Sequence, residues 1–224
     1  MKKILLPFLL VFTLPSFFSC SILKGYVLNE TDAAAALRQL LEIGAQKSIY
    51  GSFSRDAIMT TVFGNDVKKV INTLETLGLS SEIDRFTTTL TTAAEKTGER
   101  SVPIFVDAIR KISFTDAINI VKNGGTAATD YLRSSIGSNL RLSIAPVVKQ
   151  ALDEYKLSEQ WNKITKPVQT LLGNKLNLDL SNIMAGLVAE KMFQKMEETE
   201  IDIRNNASAR TTDLLQKVFS RNWQ

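Results

Sequence analysis

The stretch SNIMAGLVAEKMFQKMEETEIDI, Ser181 to Ile203, decides the fold. Ile183, Met184, Leu187, Val188, Met192 and Met196 recur three or four residues apart, which lays one apolar stripe along a helix of several turns. The same period continues in both directions. Downstream, Ala209 to Thr212 reads as a turn or cap, and Asp213 to Phe219 as a short amphipathic helix. Upstream, Lys166-Pro167 to Asn177 is the least regular stretch. Before it, Thr126 to Gly137 and Ser138 to Tyr155 read as helices, with Pro146 either kinking the second or starting a new turn. Pro103 suits the first turn of a helix carrying Ile104, Phe105, Ala108, Ile109 and Ile112. Thr115 to Lys122 forms another, stopped by Asn123-Gly124-Gly125.

Ser80 or Ser81 opens a helix with Ile83, Phe86, Leu90, Ala93, Ala94 and Thr97 in register, whose stripe outweighs the strand propensity of Thr87 to Thr92. Asp66 to Leu77, ended by Gly78, precedes it, and Tyr50 to Arg55 reads as a loop. The first helix begins at Thr31, with Thr31 or Asp32 as cap and Leu37, Leu40, Leu41, Gly44, Ala45 and Ser48 on one face. The expectation is an all-α, bundle-like single domain of about eight helices over residues 31–224. No internal repeat or linker divides it.

Composition removes several functional classes. Apolar residues make up 44% and charged residues 22%, proportions of a folded globular chain rather than a disordered one. The formal charge of +4 is halved once Lys2 and Lys3 are set aside with the leader. The rest is interspersed, so nucleic acid is not an expected partner. Without histidine, the commonest general base, the commonest metal ligand and every Ser-His device are absent. A single cysteine, Cys20, precludes an intrachain disulfide and a thiolate zinc cage. No calcium-loop, phosphate-loop, dinucleotide or GxSxG spacing occurs, and no cofactor is expected.

Residues 1–19 have the parts of an export signal: Lys2 and Lys3, the apolar run Ile4 to Leu14, then Pro15 to Ser19. The run is short for a membrane span, which needs about 20 apolar residues. Phe17 and Phe18 occupy positions where general signal peptidase requires small side chains. Ser19-Cys20 instead resembles a lipobox, with Phe17 departing from its usual leucine. Cys20 would then be acylated and become the new N-terminus, anchored to a membrane through residues 20–30 as a tether. Ser21, not aspartate, follows it, which by enterobacterial sorting points to the outer membrane of a bacterial envelope, facing the periplasm.

Candidate site residues fall in three groups. Asp107 and Asp116 bracket a helix turn and are a candidate carboxylate pair, against the plainer reading of one surface charge and one first-turn acid. Thr129, Tyr131 and Arg133 form a polar cluster equally compatible with a buried hydrogen-bond network. Arg210, Thr211, Thr212 and Asp213 bring a forked cation, two hydroxyls and a carboxylate to a helix start. They are read as an interaction surface or as a latch fastening the last helix to the body. The Asn123-Gly124-Gly125-Thr126 turn offers backbone amides to an anion, but it lacks the lysine and spacing of a phosphate loop, and a helix stop followed by a start is the better reading.

Taken in order, Ile104-Phe105-Val106-Asp107-Ala108-Ile109, Asp116-Ala117, Gly124-Gly125, Ala127-Ala128-Thr129-Asp130-Tyr131-Leu132-Arg133 and Ala209-Arg210-Thr211-Thr212-Asp213-Leu214-Leu215 resemble the bacterial family known as domain of unknown function 4197. The resemblance runs from about Leu37 to Phe219. It implies an exported, predominantly helical protein and no particular activity. Phe53 to Phe63 lacks the proline-rich stretch common in the family, so the connection between the first helices is expected to differ. The functional expectation is a non-enzymatic interaction or scaffold protein of the envelope, with an envelope protein or lipid as partner. The alternatives are a carrier of an apolar ligand near Phe86, Phe105, Met184, Met192 and Phe193, and a hydrolase using carboxylates and Arg210.

Overall fold

Asn29 starts the first helix: its side-chain oxygen accepts the Asp32 N–H at 2.9 Å and caps α1 (Glu30–Ala45). The cap therefore lies two residues before Thr31, and Ser48 falls beyond the helix, exposed. The computed structural model describes residues 25–63, 67–166 and 179–223. The leader, Cys20 and the irregular stretch from Pro167 to Asn177 lie outside them. After α1 come α2 (Arg55–Phe63), α3 (Val67–Thr76), α4 (Ser80–Lys111), α5 (Ala117–Asn123), α6 (Ala127–Ser143), α7 (Ala145–Glu154), α8 (Leu157–Thr165), α9 (Leu180–Asn205) and α10 (Asp213–Phe219). A 3₁₀ turn, Ala207–Ala209, sits between the last two. No strand occurs among the described residues, and the protein is an all-α single domain.

Three long helices build the centre. α1 packs most extensively on α9, and α4 crosses both. α5 packs on α1 and α6 on α9, α7 packs on α4 and α9, and α8 and α2 pack on α4. Leu37, Leu40 and Leu41 of α1, Phe86, Leu90 and Phe105 of α4, and Met184, Val188 and Met196 of α9 are fully or almost fully buried in one continuous core. At an apolar side chain's worth of about 1.5–3 kcal/mol each, this burial rather than helix propensity holds the bundle together.

Prolines and glycines placed two boundaries differently from the sequence reading. α4 runs unbroken through Pro103. Pro103 and Glu99, whose carbonyl loses its helical donor there, are both exposed, so solvent takes the freed carbonyl. α6 likewise runs through Gly137 and ends at Ile144, where Pro146 takes the opening turn of α7. Gly137 sits inside the helix with room for a side chain: a Cβ there would lie at an ordinary contact distance, 3.7 Å, from the Phe193 ring. α2 and α8, absent from the sequence reading, are short helices that bury Ile58, Met59 and Val62, and Leu157, Trp161 and Ile164.

The segment before α1 is clasped to α10. Tyr26 donates to Asp32 Oδ2 at 2.7 Å, and Lys217 Nζ lies 3.4 Å from the same oxygen and 4.1 Å from the Tyr26 ring centre. Burial, then the Asp32 hydrogen bond and charge, push the Tyr26 phenol well up. The Tyr26 hydrogen bond, aided by Lys217 and opposed by burial, lowers the Asp32 carboxyl from its ordinary 3.8. A carboxyl lowered by folding stabilises the fold above its unfolded value, and that stabilisation is lost as pH falls through the folded value. Asp32→Asn is therefore expected to weaken the fold by about 1 kcal/mol at neutral pH, with the difference from wild type closing below pH 3.8. Urea titrations at several pH values check this; a difference that persists undiminished in acid would contradict it.

Candidate functional site

The apolar stripe of α9 does not end at Met196. One turn further it delivers Glu200, whose side chain is completely buried. Its carboxylate accepts five hydrogen bonds. Oε1 takes the Ala128 N–H at 2.9 Å and the Arg204 Nε and Nη2 at 3.0 and 2.7 Å. Oε2 takes the Thr129 N–H and the Thr129 hydroxyl, both at 2.8 Å. Arg204 in turn donates to the carbonyls of Val121 and Ile120 at 2.8 and 3.2 Å and lies over the Phe219 ring at 5.1 Å.

The signs are matched throughout. The carboxylate sits on the electropositive start of α6, and the guanidinium sits on the electronegative end of α5. Gly124 and Gly125, at φ +68° and +56°, make the reversal that aims these two helix ends at one point. The turn at Asn123 to Thr126 acts as a helix stop and start, and the amides beyond it, of Ala128 and Thr129, are occupied by the chain's own Glu200. Thr126 makes no side-chain cap; its hydroxyl donates to Asp130 at 2.8 Å, and Glu200 satisfies the α6 amides in its place.

The residues singled out in the sequence are dispersed around this hub. Asp107 and Asp116 do not form a pair. Asp107 is exposed and bridges Lys111 at 2.6 Å, while Asp116, at φ 59°, caps α5 through the Asn119 N–H and also accepts from the Asn119 side-chain amide. Thr129 faces Glu200. Two residues on, the opposite side of α6 places Tyr131 against the α4–α5 connection. There it donates to the Ser113 carbonyl at 2.8 Å, accepts the Thr115 N–H at 3.2 Å and packs on Phe114. The hydrogen bonds from Thr115 hold its phenol below the ordinary value. Arg133 returns to the α9 side, paired with Glu190 at 3.2 Å and Glu197 at 2.8 Å and lying over the Phe193 ring. The helical period separates Tyr131 from the other two, so the three are not one cluster.

Arg210 donates to the carbonyls of Ile203 and Arg204, both at 2.8 Å, which closes the end of α9. Thr212 caps α10 through the Leu215 N–H and donates to Gln39 of α1 at 2.7 Å. Thr211 and Asp213 are exposed, Asp213 in the first turn of α10.

The two larger of the open grooves beside α4 differ in character. One, of about 410 Å³, lies beneath the α1–α2 connection. Buried Ile49, Gly98 and Met192 with half-buried Val102 give it an apolar floor, and Lys47, Tyr50, Lys96 and Glu99 are exposed around it. Tyr50 is 81% exposed, and Glu95 ties the loop down by accepting the Gly51 N–H at 2.8 Å. The other, of about 490 Å³ between α4 and α8, is charged: Arg85, Lys156 and Lys163 face Glu82, Glu154 and Glu159. Neither groove was anticipated. Both arise where distant segments meet, and no local pattern marks them. Among the described residues no group of three or more acidic or cysteine side chains is placed to hold a metal ion.

An all-helical domain closed on a buried carboxylate–guanidinium pair is the class of protein defined by this geometry. The chain belongs to the family described as protein of unknown function DUF4197, which it matches over residues 27–220. No curated protein and no solved structure matches it.

Proposed function

We propose that this protein is a lipid-anchored component of a bacterial envelope that works by surface contact with an envelope protein or with lipid, not by turnover. The observation that carries the reading is the sole cysteine, Cys20, directly after Ser19 at the end of an apolar leader. Among the described residues no helix is long and apolar enough to cross a membrane, so attachment through acyl chains on Cys20 is consistent with the helical body. The residues that suggested carboxylate chemistry are otherwise engaged: Asp107 with Lys111, Asp116 with its own helix start, and Arg210 with backbone carbonyls.

The apolar groove under Tyr50 favours a second reading, a carrier of a small apolar ligand, since about 410 Å³ falls in the range of small-molecule sites. The aromatic residues that first suggested a carrier pack on one another instead. Phe105 and Phe193 rings are 5.7 Å apart, Phe86 and Trp161 rings 5.3 Å, and of that set Met192 alone borders the groove. Native mass spectrometry of protein extracted gently from its membrane tests both readings. The expected result is an acylated chain beginning at Cys20, with both the acylation and the removal of residues 1–19 abolished by Cys20→Ser. A full-length chain with an unmodified thiol overturns the anchor, and a further non-covalent mass lost on Gly98→Leu moves the assignment to the carrier.

A further inference from the structure

The start of the folded body and the turn after α10 meet at one end of the bundle, and they present an unusual set of side chains there. Val27 is 78% exposed. Beside it, half-buried Tyr26 and Trp223 meet edge to face with ring centres 5.7 Å apart. Lys217 lies over the Tyr26 ring, and Arg221 lies 5.8 Å from the Trp223 ring centre. Arg221 donates to the Tyr26 carbonyl at 3.2 Å, and no carboxylate is among its partners in the described residues. Trp223 donates its indole N–H to the Val218 carbonyl at 2.6 Å, which fixes the ring at this end. Amphipathic rings with a cation beside them, next to an exposed aliphatic side chain, suit the layer where lipid headgroups meet acyl chains. The chain length agrees. Gly25, where the described body begins, is five residues after Cys20, and five residues span at most about 18 Å.

We propose that this end, Tyr26, Val27, Lys217, Arg221 and Trp223, is a membrane-docking face, seated on phospholipid headgroups with Arg221 on a lipid phosphate. It rests on the anchored reading above for its geometry, since an acylated Cys20 holds it against the bilayer. Arg221 adds an attraction that grows with anionic lipid, while the Lys217 charge is shared with Asp32.

The test follows Trp223 fluorescence in the full-length processed protein carrying Trp161→Phe, reconstituted in phosphatidylethanolamine–phosphatidylglycerol vesicles containing brominated acyl chains. Trp223 emission is expected to be quenched most by bromines nearest the headgroups. The mature chain carrying Cys20→Ser and lacking residues 1–19 is expected to partition onto phosphatidylglycerol-rich vesicles, about 30-fold more weakly after Arg221→Glu, a change of two surface charges. Acylated protein with unquenched Trp223 overturns the docking face and leaves the anchor intact. If Cys20 carries no acyl chain, the anchor fails and the added-vesicle assay still decides: quenching of Trp223 supports the face, and none refutes it.

Discussion

Glu200→Ala is expected to destabilise the protein by about 3–5 kcal/mol, the scale found when one partner of a buried ion pair is removed. A domain of ordinary stability holds about 5–15 kcal/mol in all, so the variant is left near the edge of folding. The size follows from what is stranded. Arg204, 9% exposed, loses its carboxylate partner, and the amides of Ala128 and Thr129 at the start of α6 lose their acceptor inside the core. Glutamine is not a conservative replacement here. Oε1 faces N–H donors only, and Oε2 faces the Thr129 N–H beside a hydroxyl that can turn to accept, so whichever way the amide is turned, its NH₂ group meets at least one N–H. Glu200→Gln is therefore expected to fall close to Glu200→Ala. Glu200→Leu combined with Arg204→Met is expected to lose less than the two single changes together, because no lone charge is left behind. Urea unfolding of the five variants measures this; a loss below about 1 kcal/mol for Glu200→Ala would remove the hub from the account of the fold.

The same pair explains which parts of the structure were legible in the sequence. Stripes of i, i+3 and i+4 apolar residues gave α1, α4, α9 and α10, since each buries one face against a neighbour over several turns or carries a recognisable cap. α8 bears such a stripe too, but over two turns only, and it starts from left-handed Lys156 with no side-chain cap. α2 was hidden by Ser52 and Ser54, which read as loop chemistry. Ser54 in fact accepts the Ala57 N–H at 3.1 Å and so opens the helix. Glu200 left a trace of the opposite kind. It occupies the position where the Met192–Met196 stripe calls for another apolar residue, with Arg204 one turn on. A charge on an apolar face is a signal that its counter-charge and its amides lie in the core, yet their identity depends on how α5 and α6 meet. The grooves beside α4 have no sequence signature, because they are spaces left between elements rather than properties of one.

Gly44→Val is expected to cost about 3 kcal/mol, and Gly44→Ala about 2, in spite of the helix-propensity gain of about 1 kcal/mol that alanine brings. The reason is the close crossing of α1 and α9. A Cβ at position 44 would lie 2.7 Å from the Cα of Met196 and 2.9 Å from its Cγ. Cα is backbone, so no change of rotamer relieves the contact, and the two helices that share the largest interface must separate. Gly186, also in α9, gives the contrast: a Cβ there meets the Arg141 guanidinium at 3.3 Å, the movable end of a long side chain. Gly186→Ala is accordingly expected to change stability by no more than about 0.5 kcal/mol, the residue left after propensity gain and lost Arg141 contacts offset each other. The Gly44 effect should also be coupled to the hub. Met196 is one turn from Glu200, so displacing α9 at the crossing shifts the carboxylate relative to the α6 amides it serves. In Gly44→Val the ion pair is then already loosened, and adding Glu200→Ala should cost less than it does in the wild-type background. Strict additivity in a double-mutant cycle would show instead that the crossing and the hub are independent, with α9 flexing between them.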